Sequence, residues 1–228
     1  MTNEATSKLF EKLKHYKNYS NDSIFFKYIY DETDLHDENS KKSMEEDDES
    51  FKPEFTHQIF GDDEIIFGYK NLHIDYFLTP GTLEAYIGVK SREKISPSRF
   101  DGIEPDDVYS SFQEFGCSPG FTKNLDQFCS DKLKKDLEFV PWGNKIYEYT
   151  REVESKESKF EVYKMDGENA DYLNEKFVDY ILRVQTMLVY YIETSCFLDT
   201  EDTNWTYYLL YEKRKNTATV PGKQSKNY

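Results

Sequence analysis

Residues 53 to 74 read Pro-Glu-Phe-Thr-His-Gln-Ile-Phe-Gly-Asp-Asp-Glu-Ile-Ile-Phe-Gly-Tyr-Lys-Asn-Leu-His-Ile, with three successive acids between two short apolar runs. Asp62, Asp63 and Glu64 are consecutive, so they cannot all be buried and require a tight turn at the surface. The runs on either side read as strands, and the turn between them presents negative charge on a rigid edge. The pattern continues as strand, turn, strand, turn, strand: Phe55 to Phe60, Ile65 to Phe77, and Leu83 to Val89, with Gly61 and Thr79-Pro80-Gly81 marking the connections. An antiparallel meander is the simplest arrangement of these runs.

A folded core is required by composition. Aromatic residues make up 17% of the 228 residues, with 19 Tyr and 17 Phe, far more than a disordered acidic chain carries. The net charge of -15 argues against nucleic acid as a direct ligand and favours basic partners. Three cysteines, Cys117, Cys129 and Cys196, have no CxxC spacing and suggest neither a disulfide framework nor a zinc site. No apolar signal core opens the chain and no run approaches the roughly 18 apolar residues of a membrane span, so neither secretion nor insertion is expected.

Leu9, Phe10, Leu13 and Tyr16 predict an amphipathic helix over 3–17, and Ser23 to Tyr30 reads as a strand. Residues 31 to 50 hold ten acids and almost nothing apolar, which predicts a solvated, disordered insertion. Residues 105–112 and Asn124 to Leu137 read as helices, each opened by a polar capping residue. Trp142 to Val153 and Lys159 to Met165 read as strands around a polar turn at 154–158. Asp171 to Phe197 carries Leu173, Phe177, Tyr180, Ile181, Val184, Met187, Leu188 and Tyr191 at helical spacing, the longest helix expected here. Trp205 to Tyr211 reads as a strand, and a loose basic tail is expected over 212–228. The fold class is therefore α+β, an antiparallel sheet flanked by helices.

His15, His36, His57 and His73 are scattered without ligand spacing, so no metal site is read from them. Neither a Walker loop, a dinucleotide fingerprint nor a nucleophile elbow occurs. Gln113-Glu-Phe-Gly-Cys-Ser118 has a superficial likeness to a pyrophosphate-gripping turn, but such a turn needs a strand before it and a helix after it. The acids at 62–64 fit both a plain solvated hairpin tip and a docking edge. Trp205 fits both a core indole and one laid over a peptide and a lysine stem.

The acidic-turn segment and a second one, Arg183-Val-Gln-Thr-Met-Leu-Val-Tyr-Tyr-Ile-Glu-Thr-Ser-Cys-Phe-Leu-Asp199 with Glu201-Asp-Thr-Asn-Trp205, resemble the amino-terminal region of type B histone acetyltransferases. Pro141-Trp-Gly and Phe160-Glu-Val-Tyr-Lys164 follow that family loosely. The resemblance implies segments 51–165 as the amino-terminal domain and 166–211 as the start of an acetyltransferase core, a long helix plus a strand. It further implies that Asp62, Asp63, Glu64 and Trp205 touch the tail of free histone four, and that a WD-repeat histone-binding subunit is a partner. Acetyl-CoA is the implied cofactor, with the coenzyme turn and the general base outside this chain, so no catalytic residue is assigned here. Nucleus and cytoplasm are the implied locations. A noncatalytic acidic histone-binding or assembly protein is the alternative, motivated by the charge and the missing core.

Overall fold

The computed structural model describes residues 11–35, 50–116, 119–153 and 156–213. The expectations for 3–10, for most of the acidic insertion (36–49), for Cys117 and for the tail beyond 213 lie outside the described residues. Compactness divides the chain into two units, one of residues 1–140 and 175–200 and one of 141–174 and 201–228. These units cut the chain by packing, whereas the segments read from sequence cut it by order along the chain.

The first unit is built on a four-stranded sheet of β2 (Ile24–Tyr28), β5 (His73–Leu78), β6 (Ala85–Lys90) and β8 (Phe121–Thr122), in that spatial order. The β5–β6 hairpin is antiparallel, whereas β2 lies parallel to β5 and β8 parallel to β6. The class is α+β as the sequence indicates, with parallel pairing at both edges of this sheet. Alternation sends Ile24 and Phe26, Ile74, Tyr76 and Leu78, and Ala85 and Ile87 to one face, where all are buried. Tyr190, just past the long helix Glu175–Val189, closes this core, with its ring 4.9 Å from Phe26 and 6.0 Å from Tyr76. On the opposite face a helical stretch over 125–136 packs Phe128 and Leu133 against Phe77, Tyr86 and Ile29. Asn124 caps that stretch by accepting the Gln127 N–H.

Two sequence expectations change here. The run Phe55 to Phe60 is not a strand: His57–Phe60 is a short helix, with Ile59 N and Phe60 N both donating to the Thr56 carbonyl at 2.9 Å. Its apolar character matches a strand, but Phe55 N is taken by the Tyr190 carbonyl at 3.0 Å and Thr56 N by Glu64 Oε1 at 2.5 Å, so these amides enter no strand ladder. The run Ile65 to Phe77 is not one strand but three: β3 (Ile65–Phe67), β4 (Tyr69–Lys70) and β5. It breaks at Gly68, φ +96°, where a Cβ would stand 2.3 Å from Pro105 Cβ, so only glycine lets the two backbones approach. β3 pairs with β1 (Lys17–Tyr19) and β4 with β7 (Glu93–Lys94), leaving only β5 in the main sheet.

The second unit holds an antiparallel sheet of β9 (Asn144–Val153), β10 (Lys156–Met165) and β11 (Tyr207–Lys213), ordered β11-β10-β9. Gly143, φ +89°, brings its backbone against the Lys164 carbonyl, where a Cβ would sit 2.4 Å away. One face of this sheet is a charge network: Glu161 accepts from Lys145 at 3.2 Å and from the Tyr163 hydroxyl at 3.1 Å. Lys145 and Lys159 pair with Glu148 at 2.5 and 2.8 Å.

Candidate functional site

The acidic turn is built by its ends. Gly61, φ +77°, stops the short helix, and Glu64 N donates to the Gly61 carbonyl at 2.9 Å, which makes Asp62 and Asp63 the two central residues of a four-residue turn. Both are exposed, and among the described residues no side-chain hydrogen bond or ion pair engages them. Glu64 is different. Its side chain is half-buried, its φ is +49°, and its Oε1 accepts from the Thr56 amide at 2.5 Å and the Thr56 hydroxyl at 2.8 Å. Its carbonyl accepts from the Ser20 amide at 2.8 Å and the Ser20 hydroxyl at 2.9 Å, and the two hydroxyls lie 2.5 Å apart. Thr56 and Ser20 are fully buried.

The segment leading into this turn is tied to the turn that follows the long helix. Besides the bonds to the Tyr190 carbonyl, Gln58 Nε2 donates to the Ser195 carbonyl at 3.1 Å, and buried Gln185 accepts the Leu198 N–H at 2.5 Å. The helix ends at Val189, so Glu193 stands exposed in that turn rather than on the helix, as its spacing suggests. Past Val189 the Tyr190 and Tyr191 amides turn back to the Met187 and Leu188 carbonyls, and the Tyr190 carbonyl is taken by the Glu54 and Phe55 amides rather than by a further helical one.

Trp205 belongs to the second unit. It is 41% exposed, so it is not a core indole. Its backbone N–H donates to the Asp202 carbonyl at 3.3 Å, and the same carbonyl takes the Tyr172 hydroxyl at 2.9 Å. Asp202 Oδ1 accepts from Asn204 N at 3.0 Å, an Asx turn that delivers Trp205 to the start of β11.

Ser20, Thr56, Gln58 and Gln185 support these segments and escape sequence reasoning, because their partners lie 8 to 137 residues away. The Thr-His-Gln string before the acids carries the only local signal.

Other polar groups have structural employment. Burial pushes the Asp75 carboxyl up, but hydrogen bonds from His73 at 3.0 Å and Lys90 at 2.6 Å outweigh it and hold it below the usual range. Burial raises the Cys129 thiol, which disfavours a nucleophilic thiolate. Among the described residues no group of three or more His, Cys, Asp or Glu is placed to hold a metal, and no helix is long and apolar enough to cross a membrane. A cavity lined by Tyr76, Leu78, Arg183 and Met187 has about 10 Å³ of room, enough for roughly one water. Phe112–Gly116 is a π-helical turn that continues the helix Val108–Ser111, so Gln113 to Gly116 lacks the preceding strand that a pyrophosphate turn requires.

Comparison with known proteins bears on this arrangement. The histone acetyltransferase type B catalytic subunit of Homo sapiens is 35% identical over 220 residues, covering 95% of this chain and 48% of the human protein. The proteins of the same description from Mycosarcoma maydis and Emericella nidulans are 28% and 31% identical, over 73% and 78% of this chain and 41% and 35% of their own lengths. The chain thus spans about half the length of the curated relatives it matches, or less. A family model described as the amino terminus of histone acetyl transferase HAT1 matches residues 16–193, from the edge of β1 through the long helix to Glu193, and this chain belongs to that family.

Proposed function

We propose that this chain is the histone-tail-recognition part of a type B histone acetyltransferase, with the turn at 62–64 and Trp205 as the tail contacts. The observation that carries the reading is the pair of exposed, unengaged carboxylates of Asp62 and Asp63 on a turn whose base is fixed by part-buried hydrogen bonds. A lysine-rich peptide is the natural complement of such an edge and of a chain with net charge -15. Each exposed pair contributes only about 0–1 kcal/mol, so the acids set register and on-rate rather than tight binding. The exposed indole of Trp205 offers a face to a lysine stem. The tail of free histone four is the proposed substrate, encountered in nucleus and cytoplasm beside a WD-repeat histone-binding subunit.

Acetyl-CoA is the proposed acyl donor of the complete enzyme. Neither the cavity lined by Tyr76, Leu78, Arg183 and Met187, which is water-sized, nor Gln113 to Gly116, which lies on a helical turn, fits it. Acetyl transfer is therefore assigned to the part of the family's length that this chain does not match, and no step of it is derived from these residues.

Titrating a histone-four amino-terminal peptide, and separately acetyl-CoA, into the full chain tests the reading calorimetrically. Peptide binding that weakens with salt, without coenzyme binding, is expected. No peptide binding, or binding indifferent to salt, would overturn it. Measurable acetyl-CoA binding would show that the coenzyme site is in this half.

A further inference from the structure

Trp205 can serve a peptide only from a turn that keeps its indole exposed and aimed, and we propose that Tyr172 is the positioning residue that fixes this turn. The proposal rests on the recognition reading above, in which the indole of Trp205 is a tail contact.

Tyr172 reaches the turn from a segment 30 residues earlier in the chain. Between β10 and the long helix, Asn169 N donates to the Asp166 carbonyl at 2.9 Å and Tyr172 N to the Asn169 carbonyl at 3.1 Å, so residues 166–172 wind through two successive turns. An ion pair from Lys164 to Asp166 at 2.5 Å ties the start of this segment to β10. Gly167 lies close against the residues that precede Trp205: a Cβ there would stand 2.6 Å from the Thr203 carbonyl oxygen and 2.9 Å from Thr203 Cβ. At the far end of the segment Tyr172 is buried, its hydroxyl donates to the Asp202 carbonyl at 2.9 Å, and its ring lies 5.9 Å from that of Tyr207. One side chain therefore touches a residue on each flank of Trp205.

The Asp202 carbonyl has two lone pairs, one for the Trp205 backbone N–H and one for the Tyr172 hydroxyl. At 3.3 Å the bond from Trp205 is long for an N–H donor, so alone it holds the turn weakly. The buried phenol sets where that carbonyl points, and with it the direction in which the chain enters Trp205. At 2% exposure Tyr172 cannot itself meet a peptide. Its effect on binding runs through the indole, which has less conformational freedom left to lose when the ligand arrives.

The test uses the full chain with fluorotryptophan at both tryptophans, Trp142 and Trp205, and a histone-four amino-terminal peptide. Fluorine NMR signals are assigned with Trp205→Phe, and the peptide is titrated into the parent, Trp205→Ala, Tyr172→Phe and the double variant. Trp205→Ala is expected to weaken binding by about 2- to 5-fold. Tyr172→Phe removes one oxygen and keeps the ring; it is expected to weaken binding by about 2- to 4-fold, no further than Trp205→Ala does, and to move or broaden the Trp205 signal while that of Trp142 stays. Added to Trp205→Ala it is expected to cost less than about 1.5-fold, because the two changes remove one contact. An unmoved Trp205 signal in Tyr172→Phe would overturn the proposal, as would losses that add in full. Should Tyr172→Phe not fold, Gly167→Ala presses the same segment against Thr203, and an unmoved Trp205 signal there overturns it instead. If Trp205→Ala binds like the parent, the recognition reading fails at Trp205, and the fluorine signal alone decides whether Tyr172 positions it.

Discussion

The two units hold their functional candidates by different physics. In the first, Ile24, Phe26, Ile66, Ile74, Ile87, Phe112 and Tyr190 are wholly buried, and the acidic turn stands on strands and a short helix anchored to that core. In the second, Met165, Tyr172 and the carboxylate-bearing Glu161 are buried, while Tyr147, Tyr208 and Leu210 stand more than half exposed. Its strands are aligned by backbone ladders, aromatic stacks such as Tyr149 on Phe160 at 5.1 Å, and ion pairs across the network of Glu161 and Glu148. Packing therefore governs the mount of Asp62 and Asp63, and ladders with surface electrostatics govern the sheet that Trp205 leads into.

The largest expected effect breaks the first unit's packing. Phe26→Ala removes a ring in contact with Tyr76 and Tyr190 and is expected to lower unfolding stability by about 3–5 kcal/mol in denaturant titration. A loss below about 1 kcal/mol would mean that this core is not what holds the turn.

Asp75 comes next, as a buried carboxylate in that unit. Its folded pKa is depressed, so its contribution is complete above the ordinary carboxylate value of about 4 and is lost as pH falls below it. Asp75→Asn is expected to cost about 1–3 kcal/mol at neutral pH and to remove that acid-side decline. A variant whose stability still falls in parallel with the parent's below pH 4 would sink the assignment.

The second unit is sharpened by Glu148, whose carboxyl is held at about 2 by hydrogen bonds from Lys145 and Lys159 and by their charge. Its sign is that of Asp75: support present above the unfolded value and lost as pH falls toward 2. A side-chain titration by NMR should show a midpoint near 2 that moves up when Lys145 and Lys159 are both changed to Met; an unmoved midpoint would remove the network as its cause. The smallest effect is on the exposed face, where Leu210→Thr keeps a strand-forming residue and should shift stability by no more than about 0.5 kcal/mol. A larger loss would show that this face is packed rather than open.

Local pattern made much of this legible. The Thr79-Pro80-Gly81 turn, the strands β9, β10 and β11, and the cap at Asn124 lie where composition and spacing put them, whereas the helix read from 105 starts at Val108 behind its cap Asp107. On the long helix, Phe177, Tyr180 and Ile181 are buried as their spacing indicates, whereas Leu173 and Leu188 are exposed and polar Gln185 and Thr186 are inside. Leu173 precedes the helix, which begins at Glu175. Gln185 is admitted because the Leu198 amide meets its oxygen, a partner that periodicity cannot register. The strand expected over Phe55 to Phe60 fails for the same reason, since its first amide, that of Phe55, is claimed by the carbonyl of Tyr190 and the next, that of Thr56, by the Glu64 carboxylate.

At the candidate site the division is finer. The run Asp62-Asp63-Glu64 after Gly61 by itself determined that a charged turn stands at the surface, because three adjacent carboxylates cannot be desolvated together. It also carried the family resemblance, and with it the expectation that this turn touches the histone tail. Only the tertiary structure separated the three acids. Asp62 and Asp63 face solvent while Glu64 turns inward to Thr56, 8 residues back, and its carbonyl meets Ser20, 44 residues away. The physical reason is range. Burial tendency and turn chemistry are written in neighbouring residues, whereas the donors that satisfy a half-buried carboxylate are brought to it by the packing of the whole unit.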